Sequence, residues 1–137
     1  MGIAVAIPDG LIVPVLRSAD QMGLRELQQR TAELAKKARA TPPRLKEDEM
    51  KGATFTISNL GMFGVRDFAA IINPPSVAIL AVAGAEKRPV VRGDQIVART
   101  MMGLTLSVDH RAVDGATAAE FLRTLKGMLE EPGMMLV

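Results

Sequence analysis

Residues 77–82 are apolar at every position. A strand with one face in water alternates apolar and polar residues, so this unbroken run predicts a strand that is covered on both faces. A longer strand is predicted over residues 95–108, after a turn at Arg92-Gly93-Asp94. A chain of 137 residues is long enough for one domain with a single core of this kind.

Two segments carry helical spacing. Leucine and alanine recur at intervals of three and four residues between 24 and 38, which predicts an amphipathic helix that ends before Thr41-Pro42-Pro43. Ser18 and Asp20 are predicted to cap its first amides. A second helix is predicted from Gly115 to the residue before Pro132.

The remaining regular segments are short strands. Residues 3–7 and 11–16 flank a turn at Pro8-Asp9-Gly10, and Pro14 places the second of them at a sheet edge or a bulge. Residues 53–58 alternate, with Phe55 and Ile57 on one face and hydroxyl side chains on the other. Strands mixed with two helices predict an α/β or α+β class.

Composition excludes several kinds of site. The sequence has no cysteine and one histidine, which excludes disulfides, thiolate catalysis and zinc–sulfur sites and argues against any metal site. A net charge of +2, without basic clusters beside aromatic side chains, argues against nucleic-acid binding. No apolar run approaches the roughly 20 residues of a membrane span, and no signal peptide is recognised, so we expect an intracellular protein.

His110 is the first candidate for proton transfer, because no other side chain here has an unperturbed pKa near neutral pH. It lies in Asp109-His110-Arg111-Ala112-Val113-Asp114-Gly115, between a predicted strand and a predicted helix. A packed histidine with satisfied nitrogens is the equally open structural interpretation. Asp114 precedes the helix, where capping is the preferred interpretation and catalysis the alternative.

Two further residues have weaker cases. Ser58 stands at the edge of a loop that contains Gly61 and Gly64, where a hydroxyl could donate to an oxyanion or simply face solvent. Lys37 ends the first helix, a position that favours a cation whether or not a phosphate binds there.

Three segments together carry a resemblance to a known family. They are Asp109 to Gly115, Thr54-Phe55-Thr56-Ile57-Ser58-Asn59-Leu60-Gly61-Met62-Phe63-Gly64, and Ile72-Asn73-Pro74-Pro75. In order, they resemble the catalytic domain of dihydrolipoamide acyltransferases, the core component of 2-oxo acid dehydrogenase complexes. Residues 10–15 and the closing residues 131–137 are similar to that family as well. The loop and the Asn-Pro-Pro segment are most similar to its pyruvate dehydrogenase branch, which handles acetyl groups.

The resemblance implies an α/β fold of the chloramphenicol-acetyltransferase type, a two-layer sandwich with a mixed sheet. It also implies acyl transfer between dihydrolipoamide and coenzyme A, with His110 as general base, Ser58 as oxyanion donor from the adjoining subunit, and Asp114 holding local geometry. Asn59, Ala83 and Gly84 match positions that line the coenzyme channel, and the resemblance implies Lys37 as a phosphate contact. Coenzyme A is a substrate, the lipoyl group is carried on another domain, and no metal is implied.

The implied partners are copies of the chain in a homotrimer and a larger cage, lipoyl domains, and other components of the complex, with no nucleic acid and no membrane. Residues 1–137 are expected to be the C-terminal part of the catalytic domain, truncated at its N-terminus, without the lipoyl and peripheral-subunit-binding domains. The expected location is the bacterial cytoplasm or the mitochondrial matrix. Two alternatives stay open: a trimeric scaffold without activity, and an antibiotic acetyltransferase of the same fold.

Overall fold

The computed structural model describes residues 1–135, so Leu136 and Val137 of the predicted closing segment lie outside the described residues. The regular elements, in chain order, are β1 (Gly2–Ile3), β2 (Val5–Ile7), β3 (Gly10–Ile12), α1 (Leu24–Ala38), β4 (Phe55–Asn59), β5 (Ala78–Arg92), β6 (Gln95–Val108) and α2 (Gly115–Glu130). Within these residues, no helix has the length and apolar character needed to cross a bilayer.

The main sheet is mixed. Its order is β1-β4-β5-β6, with parallel pairing of β1 to β4 and of β4 to β5, and antiparallel pairing of β5 to β6. β2 and β3 form a separate hairpin around Pro8 and Asp9, which confirms the predicted turn. The apolar run begins β5, where Ala78, Ile79, Leu80 and Ala81 are buried. The prediction of a strand covered on both faces is therefore confirmed.

β6 has the predicted bounds and both helices form where they are predicted, with α2 ending at Glu130, but three local predictions are wrong. Ser18 and Asp20 do not cap α1, because the helix starts after Gly23, and those two residues belong to a separate 3-10 turn. The strand predicted over residues 11–16 ends at Ile12, and the buried Pro14 interrupts it. The strand predicted over residues 77–82 continues to Arg92, ten residues beyond the apolar run.

The hydroxyl face of β4 is less exposed than its alternation suggests. Thr56 is completely buried, because β4 lies between β1 and β5, and its hydroxyl is 2.9 Å from that of the buried Ser76. On the opposite face, the Phe55 ring lies 5.7 Å from the Phe121 ring of α2. One face of the sheet is thus covered by α2, and the other faces the segment that follows β4.

Candidate active site

His110 occupies an exposed turn directly after β6. The base of the turn is fixed, since the Asp109 amide donates to the Val77 carbonyl at 2.8 Å and the Asp109 carbonyl accepts from the amides of Ala112 and Val113. The imidazole opens on a cavity of about 550 Å³ that is also lined by the Ile72-Asn73-Pro74-Pro75 segment, through Ile72, Pro74 and Pro75. His110 is therefore accessible to a substrate and is not a packed structural histidine.

The Asp109 side chain binds Arg111, the residue after His110, a contact that was not predicted from the sequence. Its carboxylate accepts from the Arg111 amide at 3.0 Å, from Arg111 Nε at 2.9 Å and from Arg111 Nη2 at 2.6 Å. The hydrogen bonds from the Arg111 side chain lower the pKa of Asp109 to about 2. The signal in the sequence was an Asp two residues before a backbone amide that it can accept from, the pattern of an Asx turn.

We expect Asp109→Ala to lower the rate of any reaction that uses His110 by about tenfold, because the imidazole is then less precisely oriented. Asp109→Asn keeps an oxygen for the Arg111 amide and should recover part of that rate. Because the pKa of Asp109 is lower in the folded protein than in the unfolded chain, its carboxylate stabilises the fold fully above the ordinary pKa of about 3.9. This stabilisation is lost as the pH falls toward 2. Rates measured for both variants between pH 6 and 9, where the Asp109 carboxylate is ionised, test the tenfold loss, and equal rates for Asp109→Ala and the parent would contradict it.

Asp114 caps α2, as preferred from the sequence. Its side chain accepts from the Thr117 amide at 2.9 Å and from the Thr117 hydroxyl at 2.8 Å. The bond from the Thr117 amide is the main reason that the pKa of Asp114 lies below its ordinary value. Among the described residues, the Asp114 carboxylate has no hydrogen bond to His110. A role for Asp114 in holding the local geometry stays a prediction, and it would act through the start of α2.

Ser58 lies near the end of β4 in a different cavity. This groove of about 640 Å³ is lined by Leu11 and Ile12 of the hairpin and by residues 68–73, so that Ile72 borders both cavities. Ser58 is half-buried and pairs in register with Ala81. It is not on a freely solvated face, and its hydroxyl borders a space that a ligand can enter.

Within one chain, Ser58 and His110 do not meet. Val108 pairs with Ala78, which pairs with Phe55, the first residue of β4. His110 therefore lies two strands away from β4 and beyond the start of that strand, whereas Ser58 lies near its end. With about 3.3 Å per residue and about 4.8 Å per strand, the two side chains are about 15–20 Å apart. Any reaction that uses both needs a second copy of the chain.

The predicted coenzyme contacts have other partners in this structure. Asn59 Oδ1 accepts from the Gly61 amide at 2.8 Å, and the Gly84 amide donates to the Val65 carbonyl at 2.7 Å. A Cβ on Gly61 would lie 2.9 Å from the Ala83 carbonyl oxygen, so these small residues let the loop after β4 lie directly on the sheet. Contacts of Asn59, Ala83 and Gly84 with a coenzyme stay predictions.

Lys37 is held by two carboxylates. Its ammonium lies 2.7 Å from Glu49 and 3.0 Å from Glu33, and the hydrogen bond to Glu49 is the largest cause of its raised pKa. A phosphate would have to compete with both acids, which disfavours the phosphate contact but leaves it a prediction.

Comparison with known proteins identifies the family. The sequence model for the catalytic domain of the 2-oxo acid dehydrogenase acyltransferases matches residues 1–137. The chain belongs to this acyltransferase family. The dihydrolipoyllysine-residue acetyltransferase component of the pyruvate dehydrogenase complex from Rickettsia felis is 46% identical over all 137 residues. The match covers 33% of the Rickettsia protein, so this chain spans about a third of that relative's length.

Two solved structures have the same fold. A structure of Azotobacter vinelandii dihydrolipoamide acetyltransferase, from a study of a serine, a histidine and an asparagine in its catalytic mechanism, has a TM-score of 0.93 and 46% identity. A structure of the cubic core of the pyruvate dehydrogenase multienzyme complex gives the same two values. Each comparison covers 99% of this chain and 55% of the other. The likeness supports the predicted chloramphenicol-acetyltransferase type of α/β fold with a mixed sheet.

Proposed function

We propose that this acyltransferase domain moves an acetyl group between dihydrolipoamide and coenzyme A in a pyruvate dehydrogenase complex. The observation that carries the proposal is His110, exposed at the end of β6 above an open cavity. The serine, histidine and asparagine studied in the A. vinelandii enzyme are separated along its chain by the same intervals as Ser58, His110 and Asp114. This agreement supports His110 as general base and Ser58 as oxyanion donor.

The chemistry requires no nucleophile from the protein, which fits a chain without cysteine. His110 removes the proton from the coenzyme thiol, and the thiolate sulfur attacks the acetyl carbonyl of acetyl-dihydrolipoamide. Ser58 donates a hydrogen bond to the tetrahedral oxyanion. When the intermediate collapses, the bond to the lipoyl sulfur breaks, and His110 returns the proton to that sulfur. The reverse transfer uses the same groups in the opposite order.

Ser58 and His110 lie too far apart in one chain, so the active site forms between copies. An exposed surface for such contacts exists on the hairpin arm, residues 85–102 at the outer end of β5 and β6. Its outward face is mainly apolar and exposed, with Ala85, Pro89, Val91, Ile96, Ala98 and Met102. A two-stranded ribbon is marginally stable in water, and contact with a second copy would cover this face. We propose a homotrimer that builds a larger cage.

A trimeric scaffold without activity is the second candidate, favoured because Asn59 and Gly84, two of the predicted coenzyme contacts, are hydrogen-bonded within the chain. The two candidates are distinguished by incubating the purified chain with acetyl coenzyme A and dihydrolipoamide and measuring free coenzyme A by chromatography, because the transfer leaves the total number of thiols unchanged. We expect a release of the coenzyme thiol that depends on dihydrolipoamide and on an oligomer seen by sedimentation. An oligomer that releases no thiol above the uncatalysed background would support the scaffold and overturn the enzyme.

A further inference from the structure

A pair of buried hydroxyl side chains joins β4 to the segment that precedes β5. Thr56 is completely buried and Ser76 is 5% exposed, and their oxygens lie 2.9 Å apart. The Ser76 hydroxyl donates to the Ala53 carbonyl at 3.3 Å. Since a hydroxyl has only one proton to donate, Thr56 is the donor in its bond to Ser76. The bonds therefore run in one direction, from Thr56 to Ser76 to Ala53.

The two hydroxyls belong to different parts of the candidate active site. Thr56 lies two residues before Ser58 on the same face of β4, and both are among the residues around the groove of about 640 Å³. Ser76 is among the residues around the cavity of about 550 Å³ that contains His110. The hydroxyl pair therefore lies between the groove of Ser58 and the cavity of His110.

Backbone hydrogen bonds continue from this pair to the turn that carries His110. The Val77 amide, next to Ser76, donates to the Thr54 carbonyl at 3.2 Å. The Val77 carbonyl accepts from the Asp109 amide at 2.8 Å, and Asp109 directly precedes His110. A displacement of Ser76 relative to β4 would therefore also displace the carbonyl that anchors the His110 turn.

The pair is better suited to setting geometry than to adding stability. Burial of a hydroxyl is unfavourable unless the group is hydrogen-bonded, so an apolar pair would fill the same space at a lower cost of desolvation. A hydrogen bond adds what an apolar contact lacks, a defined distance and direction between two chain segments. A Cβ on Gly2 of β1 would lie 2.7 Å from the Thr56 hydroxyl oxygen, so the neighbouring strand also restricts the position of this group.

We propose that Thr56 and Ser76 are positioning residues for acyl transfer, because their hydrogen bond fixes the His110 turn relative to the strand that carries Ser58. Both hydroxyls are buried, so they act through those two residues and not on a substrate. This assignment rests on the proposed function, in which Ser58 and His110 of one copy serve two different active sites. The pair thus connects the oxyanion donor of one site with the base of the next.

Two replacements of Thr56 separate positioning from stability. Thr56→Val keeps the shape of the side chain and removes the hydroxyl, whereas Thr56→Ser keeps the hydroxyl and removes a methyl group. We expect Thr56→Val to lower kcat about tenfold with little change in KM, because reacting groups are then misplaced. Thr56→Ser should keep the parent kcat although the small cavity lowers its melting temperature.

Thr54→Val is the matched control, because it removes an exposed hydroxyl one residue before β4 and should leave kcat unchanged. If kcat instead follows the melting temperature, so that Thr56→Ser is slower than Thr56→Val, the hydroxyl has a structural role only and the inference is wrong.

The two hydroxyls should also act as one unit. Once the hydrogen bond is broken by one replacement, the second has no bond left to break. We therefore expect the double variant Thr56→Val with Ser76→Ala to have a kcat close to that of the slower single variant. A loss of kcat equal to the product of the two single losses would show that the hydroxyls act separately, and would overturn the pair.

Amide hydrogen exchange, followed by mass spectrometry on the full chain, tests the connection without turnover. We expect Thr56→Val to speed exchange about tenfold in peptides that contain the Val77 and Asp109 amides, with no change within α1. Thr56→Ser and Thr54→Val should exchange as the parent does. If Thr56→Val fails to fold, Ser76→Ala breaks the same bond and gives the same readout.

These two readouts keep the positioning role apart from the proposed function. Unchanged exchange at Val77 and Asp109 in both Thr56→Val and Ser76→Ala overturns the inference, even in an active enzyme. A parent chain that transfers no acetyl group refutes the proposed function, and the exchange rates then still decide whether the hydroxyl pair holds the His110 turn.

Discussion

Replacing His110 with alanine is expected to lower acetyl transfer about 10²–10⁴-fold, the usual contribution of a general base. No other side chain in the sequence has an unperturbed pKa near neutrality, so no neighbour can take over the proton of the coenzyme thiol. The effect should fall on kcat more than on KM, because in the proposed mechanism the imidazole acts on the thiol proton rather than on the nucleotide. Initial rates with dihydrolipoamide and acetyl coenzyme A measure both constants.

The fold should survive this replacement, because the His110 side chain is exposed and the turn is held by Asp109. An unchanged melting temperature and an unchanged sedimentation coefficient are therefore required of the variant. His110→Gln keeps a polar side chain of similar length without a base near neutral pH and should lose as much rate as His110→Ala. A variant of either kind that retains the parent's kcat would eliminate His110 as the base.

The regular elements could be predicted where one local signal dominates. The three- and four-residue spacing of α1, the break before Pro132 after α2 and the apolar character of β5 correspond to the observed elements. The errors occur where tertiary structure decides. Thr56 is buried because two parallel strands flank β4, and neither neighbour is close to it in sequence. Residues 3–7 read as one strand, but Ala4 separates a strand of the sheet from a strand of the hairpin.

In the candidate site, too, local features could be predicted and tertiary arrangement could not. His110 and Asp114 could be placed from the sequence, because a turn after a strand and a cap before a helix are local features. The ion pair of Asp109 with Arg111 was not predicted, because the motif was interpreted through the histidine between them. The separation of Ser58 from His110 depends on the order of β4, β5 and β6 in the sheet, which the sequence alone does not specify. The resemblance implied that Ser58 and His110 of one site come from different subunits, and the separation of the two residues within one chain is consistent with it.

Mixing two inactive variants is expected to restore activity if each site combines Ser58 of one copy with His110 of another. Ser58→Ala should lose about 10²–10³-fold through its missing oxyanion donor, and His110→Ala loses its base. When the two are co-expressed in equal amounts and assemble at random, a seam is functional where an intact Ser58 faces an intact His110. This holds for about a quarter of the seams of a closed ring, so about a quarter of the parent rate per chain should return.

Activity in the mixture would show that Ser58 and His110 of different copies form one site, because no single chain in it carries both intact residues. Co-expression of Ser58→Ala with a double variant that carries both replacements is the matched control, since its assemblies contain no intact Ser58 and should stay inactive. Two different affinity tags, pulled in sequence, verify that the assayed particles contain both variants. If verified mixed particles remain as inactive as the separate variants, Ser58 and His110 act within one chain, and the site between copies is wrong. Because the sheet register holds the two residues about 15–20 Å apart in one copy, recovery is the result that the fold requires of an active enzyme that uses both.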